Sequence, residues 1–176
     1  MRLGVMCSGN GTNFENILRT CNQDEVVLMI HNKKKCGAVK RAAKFGVPHC
    51  YVNAKEEDQM IKLFEAWKVD LIILAGYMRI IQNPAAFPCP IINVHPSLLP
   101  KYKGLNAVEQ AMEAGETVSG CTVHYVNEEL DGGDIILQAE VPILPEDTVE
   151  SLTKAIQRKE YAILPSVINS WQSTTM

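Results

Sequence analysis

No apolar run in this 176-residue chain approaches the roughly 20 residues that a membrane-crossing helix needs. The first residues, Met1 to Met6, lead straight into a strand-like segment, with neither an Ala-x-Ala cleavage pattern nor an Arg- and Ser-rich transit stretch. A cytoplasmic protein with no membrane partner is therefore expected. Basic charge is not in excess either. Seventeen Lys and Arg against 20 Asp and Glu leave a formal charge of -3, which removes the electrostatic footprint of a nucleic-acid binder. The six cysteines, at 7, 21, 36, 50, 89 and 121, never adopt a C-x-x-C spacing. Reduced, mostly buried thiols are expected, with neither a zinc site nor a redox pair.

What is present suits one globular unit. With 47% hydrophobic residues, a chain of this length buries about 70% of its unfolded surface without needing staples. No linker, repeat or low-complexity tract divides it, so a single domain over 1–176 is expected. Short β-branched runs alternate with amphipathic stretches, the pattern of an α/β domain built on an open, mostly parallel twisted sheet with helices on both faces. Strands are expected at 2–7, 25–31, 48–52, 70–75 and 91–95. Helices are expected at 12–21, with Phe14, Ile17, Leu18 and Cys21 on one face, and at 55–67, with Met60, Phe64 and Trp67. A short helix near 106–114 precedes two further strands, 119–126 and 134–141, joined through Asp131-Gly132-Gly133 and expected to form an antiparallel pair. A last helix, 148–171, points Leu152, Ile156, Ile163 and Val167 at the core, with a restart or kink expected at Pro165.

Three constellations carry chemistry. In Cys7-Ser8-Gly9-Asn10-Gly11-Thr12-Asn13 a strand turns through two glycines into a helix. Thr12 and Glu15 fit a capping box, and the start of such a helix is an anion site that glycines let a phosphate approach. The Walker lysine and the G-x-G-x-x-G spacing are both missing, which disfavours ATP and dinucleotides. Alone, the segment also fits an ordinary tight turn. In Asn93-Val94-His95-Pro96, the strand period of two projects Asn93 and His95 from one face, at the carboxyl edge where open α/β sheets build their crevices. Asn offers an amide donor for an oxyanion and His a proton near neutral pH, although such pairs also serve simply to satisfy buried polar groups. The acidic loop Asn127 to Asp134 reads by composition as a solvated turn.

Together these segments closely resemble the glycinamide ribonucleotide formyltransferases. The matching residues are Ser8-Gly9-Asn10-Gly11-Thr12-Asn13, Leu74 to Ile80, Asn93-Val94-His95-Pro96-Ser97-Leu98-Leu99-Pro100, and Ser119 to Val126 followed by Leu130-Asp131-Gly132-Gly133. The resemblance is collinear over nearly the whole chain. It implies a Rossmann-like formyltransferase fold and transfer of a formyl group from 10-formyltetrahydrofolate, as co-substrate, to the amine of glycinamide ribonucleotide in purine synthesis. It implies a catalytic trio of Asn93, His95 and Asp131 and a phosphate anchor of Gly11, Thr12 and Asn13. Pro96 and Glu160 would touch the acceptor, while Met78, Arg79, Ile80, Ile81, Val126, Asn127 and Leu130 would line the folate pocket. On this division residues 1–100 hold the acceptor phosphate and 101–176 contribute to the folate pocket. No metal is implied, and relatives are monomers or weak homodimers.

The resemblance also shows departures. Val108 stands where relatives usually have histidine, Tyr161 replaces the histidine that commonly follows the matched glutamate, and the 52–58 loop matches poorly. His31 and His49 match no functional position and are expected to be structural or exposed. Related chains that hydrolyse the formyl donor usually carry an additional N-terminal regulatory domain, and those that act on initiator tRNA carry a basic C-terminal extension. Sugar-nucleotide acceptors are disfavoured by the phosphate loop.

Overall fold

A computed structural model describes residues 1–171 of the chain; the last five positions of the expected 1–176 domain lie outside the described residues. Seven strands form one sheet in the order β3-β2-β1-β4-β5-β6-β7. The strands are β1 (Arg2–Cys7), β2 (Glu25–His31), β3 (His49–Tyr51), β4 (Leu71–Leu74), β5 (Ile91–His95), β6 (Val118–Tyr125) and β7 (Ile135–Pro142). The first five run parallel, and β6 and β7 each pair antiparallel with their neighbour. The expected fold class and the late antiparallel pair are both present.

The helices are α1 (Thr12–Thr20), α2 (Gly37–Phe45), α3 (Glu57–Ala66), α4 (Ala107–Glu113) and α5 (Val149–Asn169). Successive side chains of a strand point to opposite faces, and the central strands are apolar on both. From β1 and β4, Leu3, Val5, Leu71 and Ile73 join a core under α1, α2 and α5, whereas Met6, Ile72 and Leu74 join a second core under α3 with Met60 and Phe64. Near-continuous apolar runs are what a parallel sheet covered on both sides requires. Gly4 makes the close packing of α3 possible, since a Cβ there would fall 2.6 Å from the Phe64 ring.

Three expectations are corrected. Helix α2 was not among the expected elements, because its inward residues are only the small Ala38 and Ala42 among lysines and an arginine, too weak an apolar stripe to read. Thr12 and Glu15 do not form a capping box: α1 has Gly11 at its N-cap with no side-chain cap. Instead Glu15 is held away from the helix start by Arg19, Arg41 and Lys44. Pro165 lies inside α5, which continues to Asn169 without restarting.

Four of the cysteines are buried and all six are free thiols, as composition suggests. Burial pushes the Cys7 thiol far above its usual range. His31 is buried at the end of β2, with Nδ1 2.9 Å from the Lys33 carbonyl and Nε2 3.3 Å from His49 Nδ1. The two rings tie the ends of β2 and β3 together, which is a structural role.

Candidate active site

Residue order in the sheet reverses between β1 and β4, because the chain moves outward from β1 to β3 and then returns to the other side of β1. Loops leaving the carboxyl ends of two such strands diverge and open a crevice. A cleft of about 1320 Å³ lies there, lined by the loops after β1, β4 and β5, by residues 104–107 and 126–131, and by one side of α5. The loop bases are pinned to each other: the Ser8 N–H donates to the Gly76 carbonyl at 3.1 Å and the Met78 N–H to Ser8 Oγ at 2.8 Å.

All fifteen residues singled out from the sequence line this cleft: Gly11, Thr12, Asn13, Met78, Arg79, Ile80, Ile81, Asn93, His95, Pro96, Val126, Asn127, Leu130, Asp131 and Glu160. At one end, the start of α1 leaves its first-turn N–H groups without a side-chain cap. Gly11 allows this turn twice over. Its φ is +76°, and a Cβ would fall 2.8 Å from the Ala38 Cα of α2, so no other residue fits. The side chain of Asn13 donates to Glu160 Oε2 at 3.1 Å, and its Oδ1 is buried with no partner. Glu160 is only 7% exposed, and burial pushes its carboxyl up to about 7 even against the Asn13 hydrogen bond that lowers it.

At the other end, Asn93 and His95 project from the end of β5 and meet residues of β6 and of the loop that follows it. Asn93 pairs across the ladder with His124, and its Nδ2 lies 3.5 Å from His124 Nε2. His124 Nδ1 faces the Tyr125 carbonyl at 2.9 Å. A carbonyl only accepts, so Nδ1 carries the proton and Nε2 of the neutral ring is an acceptor. Burial holds His124 below the usual histidine range despite the pull of Asp131, and it is neutral at pH 7. The same logic applies to His95, whose Nε2 is 2.8 Å from the Tyr102 carbonyl and therefore protonated. Its Nδ1 is turned toward Asp131 Oδ2 at 3.6 Å.

Asp131 sits in the left-handed region at φ +50°, a conformation that aspartate tolerates better than most side chains. One oxygen accepts from the Gly104 N–H at 2.7 Å, and the other lies 3.7 Å from His124 Nε2. Its carboxylate thus stands between two imidazoles. The turn that follows His95 is locked from outside the cleft: Thr122 Oγ1 donates to the Ser97 carbonyl at 2.7 Å, and the Leu99 N–H donates to Thr122 Oγ1 at 3.1 Å.

Sequence reasoning missed His124 and Glu57. His124 was visible inside a matching segment, but its partnership with Asn93 depends on the β5–β6 register, which no local pattern encodes. Glu57, at the start of α3, accepts the N–H groups of Gln82 and Asn83 at 2.7 and 3.0 Å. It thereby clips the end of the 78–83 loop, whose side chains Met78 and Ile80 are 60% and 56% exposed. Of the three departures, Val108 and Tyr161 do not line the cleft, whereas the 52–58 loop contributes Ala54, Lys55 and Glu57 to it. Val108 is buried in the core, and the Tyr161 carbonyl accepts from Asn16 Nδ2 at 2.8 Å. Among the described residues, no three His, Cys, Asp or Glu side chains are grouped to hold a metal ion, and no helix is long and apolar enough to cross a membrane.

Comparison with known proteins gives the family. The chain is 40% identical over 180 residues to the phosphoribosylglycinamide formyltransferase of Haemophilus influenzae, covering 95% of this chain and 85% of that protein. Among solved structures, glycinamide ribonucleotide transformylase 1 from Symbiobacterium toebii superposes with a TM-score of 0.91 at 40% identity, covering 96% of this chain and 86% of that one. The phosphoribosylglycinamide formyltransferase from Anaplasma phagocytophilum gives 0.93 at 39% identity, covering 96% and 85%. The model of the formyl transferase family matches residues 1–168, nearly the whole length on which the cleft is built, and the chain belongs to that family.

Proposed function

We propose that the chain transfers the formyl group of 10-formyltetrahydrofolate to the amine of N1-(5-phospho-D-ribosyl)glycinamide, a step of purine synthesis. The observation that carries this reading is the arrangement of one cleft: an uncapped helix start at one end and, at the other, Asn93, His95 and Asp131 converging, with His95 Nδ1 and Asp131 Oδ2 3.6 Å apart. An acceptor with a phosphate at one end and an amine at the other spans such a site.

The first-turn amides of α1, with Gly11, Thr12 and Asn13, take the phosphate, where the partial positive charge of the helix end favours an anion. The middle of the acceptor lies along Pro96 and Glu160. The folate fits the apolar side of the cleft, between Met78 to Ile81 and Val126, Asn127 and Leu130. On this reading residues 1–100 chiefly anchor the acceptor, and the described residues from 101 onward complete the folate pocket.

In the reaction the neutral amine attacks the formyl carbon, forming the new C–N bond and an oxyanion. Asn93 Nδ2 has a hydrogen left over from its contact with His124, and His95, with Nε2 committed to the Tyr102 carbonyl, offers Nδ1–H in its imidazolium form. Both donate to the oxyanion, and one such donor is typically worth about 2.7–4 kcal/mol of barrier. Asp131 accepts the proton lost by the attacking amine, directly or through a water, and returns one to the folate nitrogen as the old C–N bond breaks. Holding both substrates in one cleft supplies much of the remaining acceleration.

The test is a spectrophotometric assay of 10-formyltetrahydrofolate deformylation with and without glycinamide ribonucleotide. Acceptor-dependent turnover is expected. Equal turnover without the acceptor would make the chain a hydrolase, and none in either condition would sink the assignment.

A further inference from the structure

Between His95 and α4 the backbone adopts left-handed conformations at alternate residues: Tyr102 at φ +55°, Gly104 at +82° and Asn106 at +60°. Glycine and asparagine enter this region readily, but a bulky aromatic does so rarely. The segment that Tyr102 strains is also the one that meets both catalytic groups. The Tyr102 carbonyl accepts from His95 Nε2 at 2.8 Å, and two residues later the Gly104 N–H donates to Asp131 at 2.7 Å. Ser97 Oγ donates to the Lys101 carbonyl at 2.6 Å and so holds the start of the segment. The side chain of Tyr102 runs the other way. Its hydroxyl donates to Glu116 Oε1 at 3.0 Å, and the same oxygen receives Lys101 Nζ at 3.0 Å.

We propose that Tyr102 is a positioning residue for formyl transfer: tethered by its hydroxyl to Glu116, it holds residue 102 left-handed, so that its carbonyl fixes which nitrogen of His95 is committed and which faces the cleft. A glycine at 102 would permit the same φ without enforcing it. Tyrosine accepts the strain because its hydroxyl is fastened at the far end, and the carbonyl is then aimed with little freedom. The proposal rests on the role given to His95 above, and it adds no chemical step of its own.

The experiment compares Tyr102→Ala, Tyr102→Gly, Tyr102→Phe and Glu116→Gln in the full chain. It reads kcat, both KM values, and the proton on His95 Nε2 by 15N-histidine NMR, assigned with a His95→Gln control. A misplaced catalytic group costs up to about a hundredfold. The alanine variant is expected to lose tenfold or more in kcat on that scale, with KM values little changed and the His95 Nε2 proton exchanging faster. Glycine, which takes positive φ freely, should recover part of both. Phe and Gln remove only the tether and should each lower kcat by about two- to fivefold, the size of one hydrogen bond.

An alanine variant with parental kcat and an unchanged His95 proton overturns the proposal. If the alanine variant does not fold, unchanged kcat and an unchanged His95 proton in both tether variants overturn it equally. Should the parent chain show no acceptor-dependent turnover, the functional reading fails first. The NMR arm then still decides, because a His95 proton unmoved in the alanine or tether variants excludes positioning by Tyr102.

Discussion

The two sides of the cleft are built on different principles. One side is made of strand ends. Asn93 and His95 leave β5 where parallel pairing to β4 and antiparallel pairing to β6 fix the backbone, and Thr122 locks the turn beyond them. The other side is made of loops whose tips carry exposed apolar side chains, Leu105 at 69% and Leu130 at 49%. Asp131 belongs to this second side. It is held by one short bond to the Gly104 N–H and by two longer approaches to imidazoles. On the proposed function, donors that must be ready for a developing charge gain from rigidity, and these two, Asn93 and His95, sit on the strand-end side.

The largest expected effect breaks the comparison at its centre. Asn93→Ala on the rigid side should lower kcat by about a hundred- to a thousandfold for the loss of an oxyanion donor, and Asp131→Asn on the loop side by about a hundred- to ten-thousandfold for the loss of a proton-transfer group, while folate binding measured by fluorescence quenching stays near normal. Near-normal turnover in either variant contradicts the role assigned to that side chain.

A second prediction concerns the acceptor end, where Glu160 is buried and held at about 7 rather than the ordinary 4.5. A carboxyl raised in the folded state favours folding fully below its unfolded value, and that contribution is lost as pH rises through the folded value. Between pH 4.5 and 7 the loss is worth roughly 3 kcal/mol at 1.36 kcal/mol per pH unit. Glu160→Gln should flatten the stability profile across this window in denaturant titrations at a series of pH values. A profile that stays parallel to that of the parent would show that Glu160 titrates normally.

The smallest effect sharpens the description of the loop proposed to hold the folate. Glu57→Ala leaves the N–H groups of Gln82 and Asn83 without their carboxylate and frees the end of the 78–83 loop. Losing an exposed hydrogen bond of this kind costs about 0.5–1.5 kcal/mol. The KM for the folate should rise by about fivefold at the middle of that range, with the KM for the acceptor little changed. A uniform fall in kcat with both KM values intact would mean that the loop does not contact folate.

Much of this protein is legible in its sequence, because its information is local. Strand and helix periods, the Gly11 turn and the pairing of Asn93 with His95 on one face all follow from spacing of a few residues. The exceptions are informative. Helix α2 escaped because its inward stripe is two alanines. The capping box at Thr12 failed because Glu15 finds three cations on α1 and α2, a choice the local motif does not contain.

The sequence by itself determined the fold class, the strand-end location of Asn93 and His95, and, through collinear motifs, the family. Tertiary structure alone decided which groups meet. The register of β6 against β5 brings His124 to Asn93, the return of the 126–134 loop carries Asp131 to within 3.6 Å of His95, and α5 delivers Glu160 to Asn13 across 147 residues of chain. The reason is physical. Periodicity depends on the backbone geometry of neighbouring residues, whereas these contacts depend on how whole elements pack, and packing is set by the summed burial of side chains far apart in the chain.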